Sequence, residues 1–97
     1  MTYKDQVKLI DFIVKKYNKQ KQDELQRLYY FDIDLVNLID HSLNRLDQES
    51  LRIIHNDFIL PKPKQWWNGY YSKTTYYRLK NKAMSQFINC LHNRIMI

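Results

Sequence analysis

Apolar residues in the first seventeen positions recur three and four apart, as Tyr3, Val7, Ile10, Ile13, Val14 and Tyr17. That spacing places them on one face of a helix. Thr2, with Asp5 three residues on, resembles a capping box at its start, Asp standing where Glu is usual. The helix is predicted to run to about Asn18, where the polar stretch NKQKQDE (18–24) offers a break or a solvated extension. Leu25, Leu28 and Tyr29 begin a second apolar face. FDIDLVNLIDHSL (31–43) reads as a third helix, with Leu35, Leu38, Ile39, Leu43 and Leu46 on its buried side. Its alternating start could pass for a strand, but the chain offers no second strand to pair with it.

Asp47 suits the N-cap of ESLRIIHNDFIL, in which Leu51, Ile54 and Phe58 line one face. Pro61 and Pro63 end that helix, because each lacks an N–H and restrains the residue before it. Gln65 to Asn68 is predicted to form a short turn of helix, closed by Gly69, the only glycine and so the expected positive-φ position. Ser72 caps a long final helix from Lys73 to about His92, with Tyr76, Leu79, Ala83, Met84, Phe87, Ile88, Leu91 and Ile95 as its apolar positions. One glycine and two prolines leave little turn punctuation, which favours long helices over many short strands. The expected fold is therefore all-α, a small helical bundle forming a single domain over residues 1–97. Residues 1–45 would brace it or dimerise, and residues 46–97 would form a basic half.

Charge sharpens that division. The chain carries a net +6, but residues 1–57 hold nine Lys/Arg and all ten Asp/Glu, a net −1. Residues 58–97 hold seven Lys/Arg and no acid. Such asymmetry points to a nucleic-acid or membrane-surface partner. No apolar run reaches transmembrane length, and MTYKDQ lacks the apolar stretch of a signal peptide. The lone Cys90 excludes an internal disulfide, suits a reducing cytosol, and is expected to be a small buried apolar side chain. The expectation is a cytoplasmic protein with no membrane partner.

With Tyr76, Leu79, Ala83 and Phe87 facing the core, Lys73, Thr74, Tyr77, Arg78 and Asn81 face outward near the start of the last helix. The unpaired N–H groups and positive dipole end there suit a phosphate. Short polar, aromatic and arginine side chains on the first two turns can enter a major groove, where Arg78 could pair with guanine edges. Thr74 or Tyr77 could meet a thymine methyl or a phosphate, and Lys80 and Lys82 would lie towards the backbone. Lys62 and Lys64, ahead of this helix, complete the candidate phosphate contacts. The same pattern also occurs on ordinary solvated helix faces; the acid-free surroundings tip the balance to nucleic acid.

LDQESLRIIHNDFI (46–59) followed by YSKTTYYRLKNKAMSQF (71–87) resembles the C-terminal helix-turn-helix of sigma-type factors, their region 4. It looks closer still to the ArpU-type phage transcriptional regulators and small mycoplasma-type proteins related to them. Ser72 matches the cap, and Tyr76, Leu79, Ala83, Met84 and Phe87 stand where those families place Val, Ile, Ala, Leu and Leu. The phrase S-x-[ST]-T-Y-Y-R-L-[KR] is typical of the phage-regulator recognition helix. The resemblance implies a helix-turn-helix-like unit ending in the long last helix, and major-groove contacts from Lys73, Thr74, Thr75, Tyr77 and Arg78. In place of the family's middle helix this chain has PKPKQWWNGYY (61–71), with room for one or two helical turns.

Trp66 and Trp67 would point about 100° apart on an α-helix, so one plugs the gap left by that short segment. The other packs at the rim, stacks on a base or anchors a protein partner. Tyr70 and Tyr71 either reach phosphates or finish the edge of the core. His41, His55 and His92 are scattered, and Cys90 and His92 point to different sides, so neither a metal site nor a cofactor is expected. Asp32 and Asp34 read as helix-start or surface residues rather than an acid–base pair, and nothing indicates an enzyme. Three functions stay open: a duplex DNA-binding regulator, as a monomer or a homodimer; a protein-interaction module that holds RNA polymerase or another protein; and an RNA or single-strand binder.

Overall fold

Side-chain caps decide where three of the helices begin. Thr2 Oγ1 accepts the Asp5 N–H at 3.1 Å and opens α1 (Tyr3–Asp23). The Asp47 carboxylate accepts the Ser50 N–H at 2.8 Å and opens α3 (Gln48–Ile54). Ser72 Oγ accepts the Thr75 N–H at 3.2 Å and opens α4 (Lys73–Met96). Each satisfies one of the N–H groups that a helix start leaves without an internal partner. The fourth helix, α2, spans Ile33–Asn44. This computed structural model describes residues 1–23 and 33–96, and the described residues include no strand. The expected apolar face of Leu25, Leu28 and Tyr29 lies outside them, as do Asp32 and the side chains of Asp34, Leu35 and Ile95.

The all-α bundle is arranged around α4, which packs on α1, α2 and α3. Its Tyr76, Ala83, Met84, Phe87 and Leu91 are buried at the spacing read from the sequence. Against them lie Ile10, Val14 and Tyr17 of α1, Val36 and Ile39 of α2, and Ile53 and Ile54 of α3. At 24 residues, α4 is about 36 Å long and gives every other helix a place on one continuous apolar stripe.

Three local expectations are decided or changed. The first helix continues past Asn18 to Asp23, taking the solvated extension rather than the break. Its last turns are held from both sides: the Tyr17 hydroxyl donates to Asp40 at 2.5 Å, Lys21 pairs with Asp40 at 3.8 Å, and Asn18 donates its amide to the Ile59 carbonyl at 3.0 Å. Burial and the bond to Asp40 push the Tyr17 hydroxyl above its ordinary pKa, so it remains a donor. Second, α3 passes without interruption into a wider π-helical turn, His55–Ile59. In an α-helix Ile59 would sit about 140° round from Ile54; i→i+5 bonding, seen in Leu60 N–H donating to the His55 carbonyl at 3.0 Å, brings it back to the core. Ile59 therefore joins Ile54 and Phe58 inside; Ile53, ahead of the turn, is buried as well, while the expected Leu51 is only half-buried. Third, Gly69 has no positive φ. It ends a 3₁₀ turn, Trp66–Gly69, that closes through the Tyr70 and Tyr71 N–H groups, both donating to the Trp67 carbonyl at 2.8 and 2.9 Å. The chain leaves that turn with right-handed backbone at Tyr70, so a left-handed residue is not needed.

A Cβ added at Gly69 would meet nothing within 4 Å. Gly69→Ala is expected to raise the unfolding free energy by about 0.4–1 kcal/mol, through reduced freedom of the unfolded chain, as measured by urea titration. At the α3 cap, Asp47→Ala should cost about 1 kcal/mol and Asp47→Asn much less. The Ser50 N–H holds the Asp47 carboxyl below its ordinary 3.8, so this stability is present above that value. The gap between wild type and Asp47→Ala should close as pH falls through the depressed folded value.

Candidate nucleic-acid interface

Asp57 is the last acid in the chain, and the π turn sets it against the start of α4. Its side chain is 12% exposed. One carboxylate oxygen accepts the Trp66 indole N–H at 2.7 Å; the other accepts the Tyr76 hydroxyl and pairs with Lys80 Nζ at 3.4 Å. Burial, with the bond to Asp57 second, pushes the Tyr76 hydroxyl far above its ordinary pKa and keeps its proton in place. A carboxylate this enclosed is tolerated only because each oxygen is occupied and the charge is matched.

The aromatic residues assemble around the same ring. Trp67 stacks on Tyr76 at 4.5 Å between centroids and 10° between planes. Trp66 meets Tyr76 edge-on at 6.2 Å and 89°. Trp67, the more deeply buried indole, also donates to the Lys64 carbonyl at 3.1 Å. Both tryptophans are thus occupied within the fold, one buried and one half-buried, and one of them plugs the short segment as expected.

Lys80 does not project towards a ligand. Its side chain is 14% exposed, and Nζ lies 5.4 Å from the Phe58 ring, 5.6 Å from Tyr3 and 5.7 Å from Tyr76. Four residues after Tyr76 on one helix face, this ammonium is held by a carboxylate and three rings, which removes it from the outward set. Lys82 is exposed and pairs with the Asp47 cap at 3.9 Å. Thr75 is half-buried and helps to build the α4 cap, since its Oγ1 accepts the Ser72 hydroxyl at 2.9 Å.

Lys73, Thr74, Tyr77 and Arg78 are exposed, as are Lys62 and Lys64 in the preceding loop. Thr74, Arg78 and Asn81 fall within about 60° of one another on α4, directly opposite Tyr76 and Ala83. Tyr77 stands at the edge of that stripe, its ring edge-on to Tyr76 at 4.9 Å and to Tyr3 at 6.2 Å. The loop lysines sit on a fixed backbone: Lys62 N–H donates to the Asn56 carbonyl at 2.8 Å, and the Lys64 carbonyl holds Trp67. Sequence reasoning gave no role to Arg52, whose guanidinium lies 5.2 Å from the exposed Tyr70 ring. Arg52 belongs to the acid-bearing part of the chain, and only the folded turn brings Tyr70 to it. Cys90 is half-buried rather than buried. Among the described residues, no three His, Cys, Asp or Glu side chains converge as metal ligands would, and no helix is long and apolar enough to cross a membrane.

No family model, curated protein or solved structure matches the chain.

Asp57→Ala should lower stability by about 3–5 kcal/mol in urea titration, because it leaves the buried Lys80 ammonium uncompensated. Lys80→Met should cost less, since Asp57 keeps its two neutral donors and the methionine can occupy the space among the rings.

Proposed function

We propose that this chain is a small DNA-binding protein, a transcriptional regulator related to the sigma region 4-like and ArpU-type helix-turn-helix proteins, and that it reads duplex DNA with the first turns of α4. The observation that carries this proposal is the outward stripe itself. Lys73, Thr74, Tyr77, Arg78 and Asn81 are exposed at a capped helix start, on a helix without a single acid. The nearest acid in the sequence, Asp57, is already neutralised by Lys80. A polar, cationic helix end of this kind can approach phosphates without like-charge repulsion and offer Arg78 to guanine edges. Lys62 and Lys64 supply sequence-independent contacts to the backbone. A homodimer on paired half-sites would give the affinity that one short recognition helix lacks.

The protein-interaction reading relied on the tryptophans as anchors. Trp66 and Trp67 bind Asp57, Tyr76 and the Lys64 carbonyl within the fold, so of the two only the half-buried Trp66 is left to serve that reading as an anchor.

Selection from randomised duplexes with the purified protein, followed by binding titrations, tests the proposal. Affinity should fall steeply with salt, with a log–log slope of about −0.9 per phosphate neutralised. Arg78→Ala should cost about 1–3 kcal/mol and relax base preference at one position. Lys64→Ala should weaken all duplexes alike and reduce the salt slope by about one. Lys80→Met should leave duplex affinity unchanged per folded molecule. Failure of any duplex to bind at low salt, with RNA polymerase co-purifying instead, would overturn the proposal.

A further inference from the structure

An open groove of about 650 Å³ lies between α3 and the Trp66–Gly69 turn. That volume falls within the roughly 300–1,000 Å³ of small-molecule sites. Three features of its lining belong together. Arg52 and Lys62 bring two positive charges, His55 adds an imidazole, and no acid lines the groove. Tyr70 presents a ring that is 66% exposed, steadied by Arg52 at 5.2 Å and tilted against Trp66 at 6.3 Å. Asn56 is 7% exposed, and among the described residues its side chain has one polar partner, His55 Nδ1 at 3.4 Å from its oxygen. Its amide nitrogen has no hydrogen-bond partner among the described residues and is reached by solvent, so it is open to a ligand in the groove.

A cationic end, an exposed aromatic plane and an unpartnered amide donor within one groove match a ligand that is anionic at one end and flat at the other. We propose that this groove binds a nucleoside phosphate. Arg52 and Lys62 hold the phosphate, with His55 beside them; the base stacks on Tyr70, and the Asn56 amide donates to the ligand. A simple anion would use the charges and leave the Tyr70 ring idle. The nucleoside phosphate could be a free nucleotide or one unit of a nucleic-acid strand; Tyr70 stands two residues before the Ser72 cap of α4. The site uses no α4 side chain, shares only Lys62 with the proposed duplex contacts, and does not rest on duplex reading.

Titrating the ¹⁵N-labelled full chain with AMP, with inorganic phosphate and with a short single-stranded oligoadenylate separates the possibilities. AMP should shift the Arg52, His55, Asn56 and Tyr70 amides saturably and bind at least about tenfold tighter than phosphate. Arg52→Gln and Tyr70→Ala, both at exposed side chains, should each weaken AMP about tenfold while the remaining amide spectrum is unchanged. Arg78→Ala should leave AMP binding intact even where it lowers duplex affinity, so this site and the α4 stripe fail separately. Tighter binding of the oligoadenylate than of AMP assigns the site to a strand; equal binding assigns it to the free nucleotide. Equal affinity for AMP and phosphate, shifts elsewhere, or an unaffected Tyr70→Ala variant would overturn the proposal.

Discussion

The charge pair between Asp57 and Lys80 is the constraint on which the rest of this fold depends. Taking a carboxylate and an ammonium out of water costs several kcal/mol for each ion, and each offsets part of the other's cost here. Here the carboxylate also accepts from Trp66 and Tyr76, and the ammonium is enclosed by three aromatic rings. One acidic side chain thereby joins the π turn, the Trp66–Gly69 turn and α4. A buried network of this kind favours a single arrangement over slippage, since each alternative register would leave a charge or an indole N–H unmatched.

That inward pairing shapes the surface as much as the core. Lys80 and Tyr76 lie one turn apart on the face of α4 turned towards Asp57, leaving Thr74, Arg78 and Asn81 on the opposite face. Tyr77 bridges the two, packing edge-on to Tyr76 and Tyr3 while remaining partly exposed. The outward stripe is therefore mounted on a helix whose buried side is fixed by hydrogen bonds, stacking and an ion pair. Such support limits how far exposed side chains can wander, which suits contacts that require defined geometry.

The π turn has a second consequence. By returning Ile59 to the core, it keeps the end of α3 pressed against the bundle and allows Asn56 to be buried beside the groove. The same segment thus supplies core residues on one side and Arg52, His55 and Asn56 on the other. The Trp66–Gly69 turn closes the groove with Tyr70 while its Trp67 stacks within the core.

Helical periodicity was enough to reveal the all-α character, the buried faces of the first and last helices, and the Thr2, Asp47 and Ser72 starts, because caps and apolar spacing act over a few residues. Charge distribution revealed the acid-free half in the same way. What periodicity missed was non-local. Asn18 left a break and a solvated extension equally open because nothing in its neighbourhood announces Ile59, forty-one residues away, as its partner. Gly69 read as a left-handed residue because glycine usually marks one, although this turn leaves by a right-handed path. Lys80 read as a surface charge because lysine is seldom buried, and only the approach of Asp57 makes burial affordable. Arg52 and Tyr70 became neighbours through the same folding of the turn onto α3. Local propensities set out helices, caps and a basic half; tertiary contact decided which charges face inward, because a charge can leave water only where its partner is brought to it.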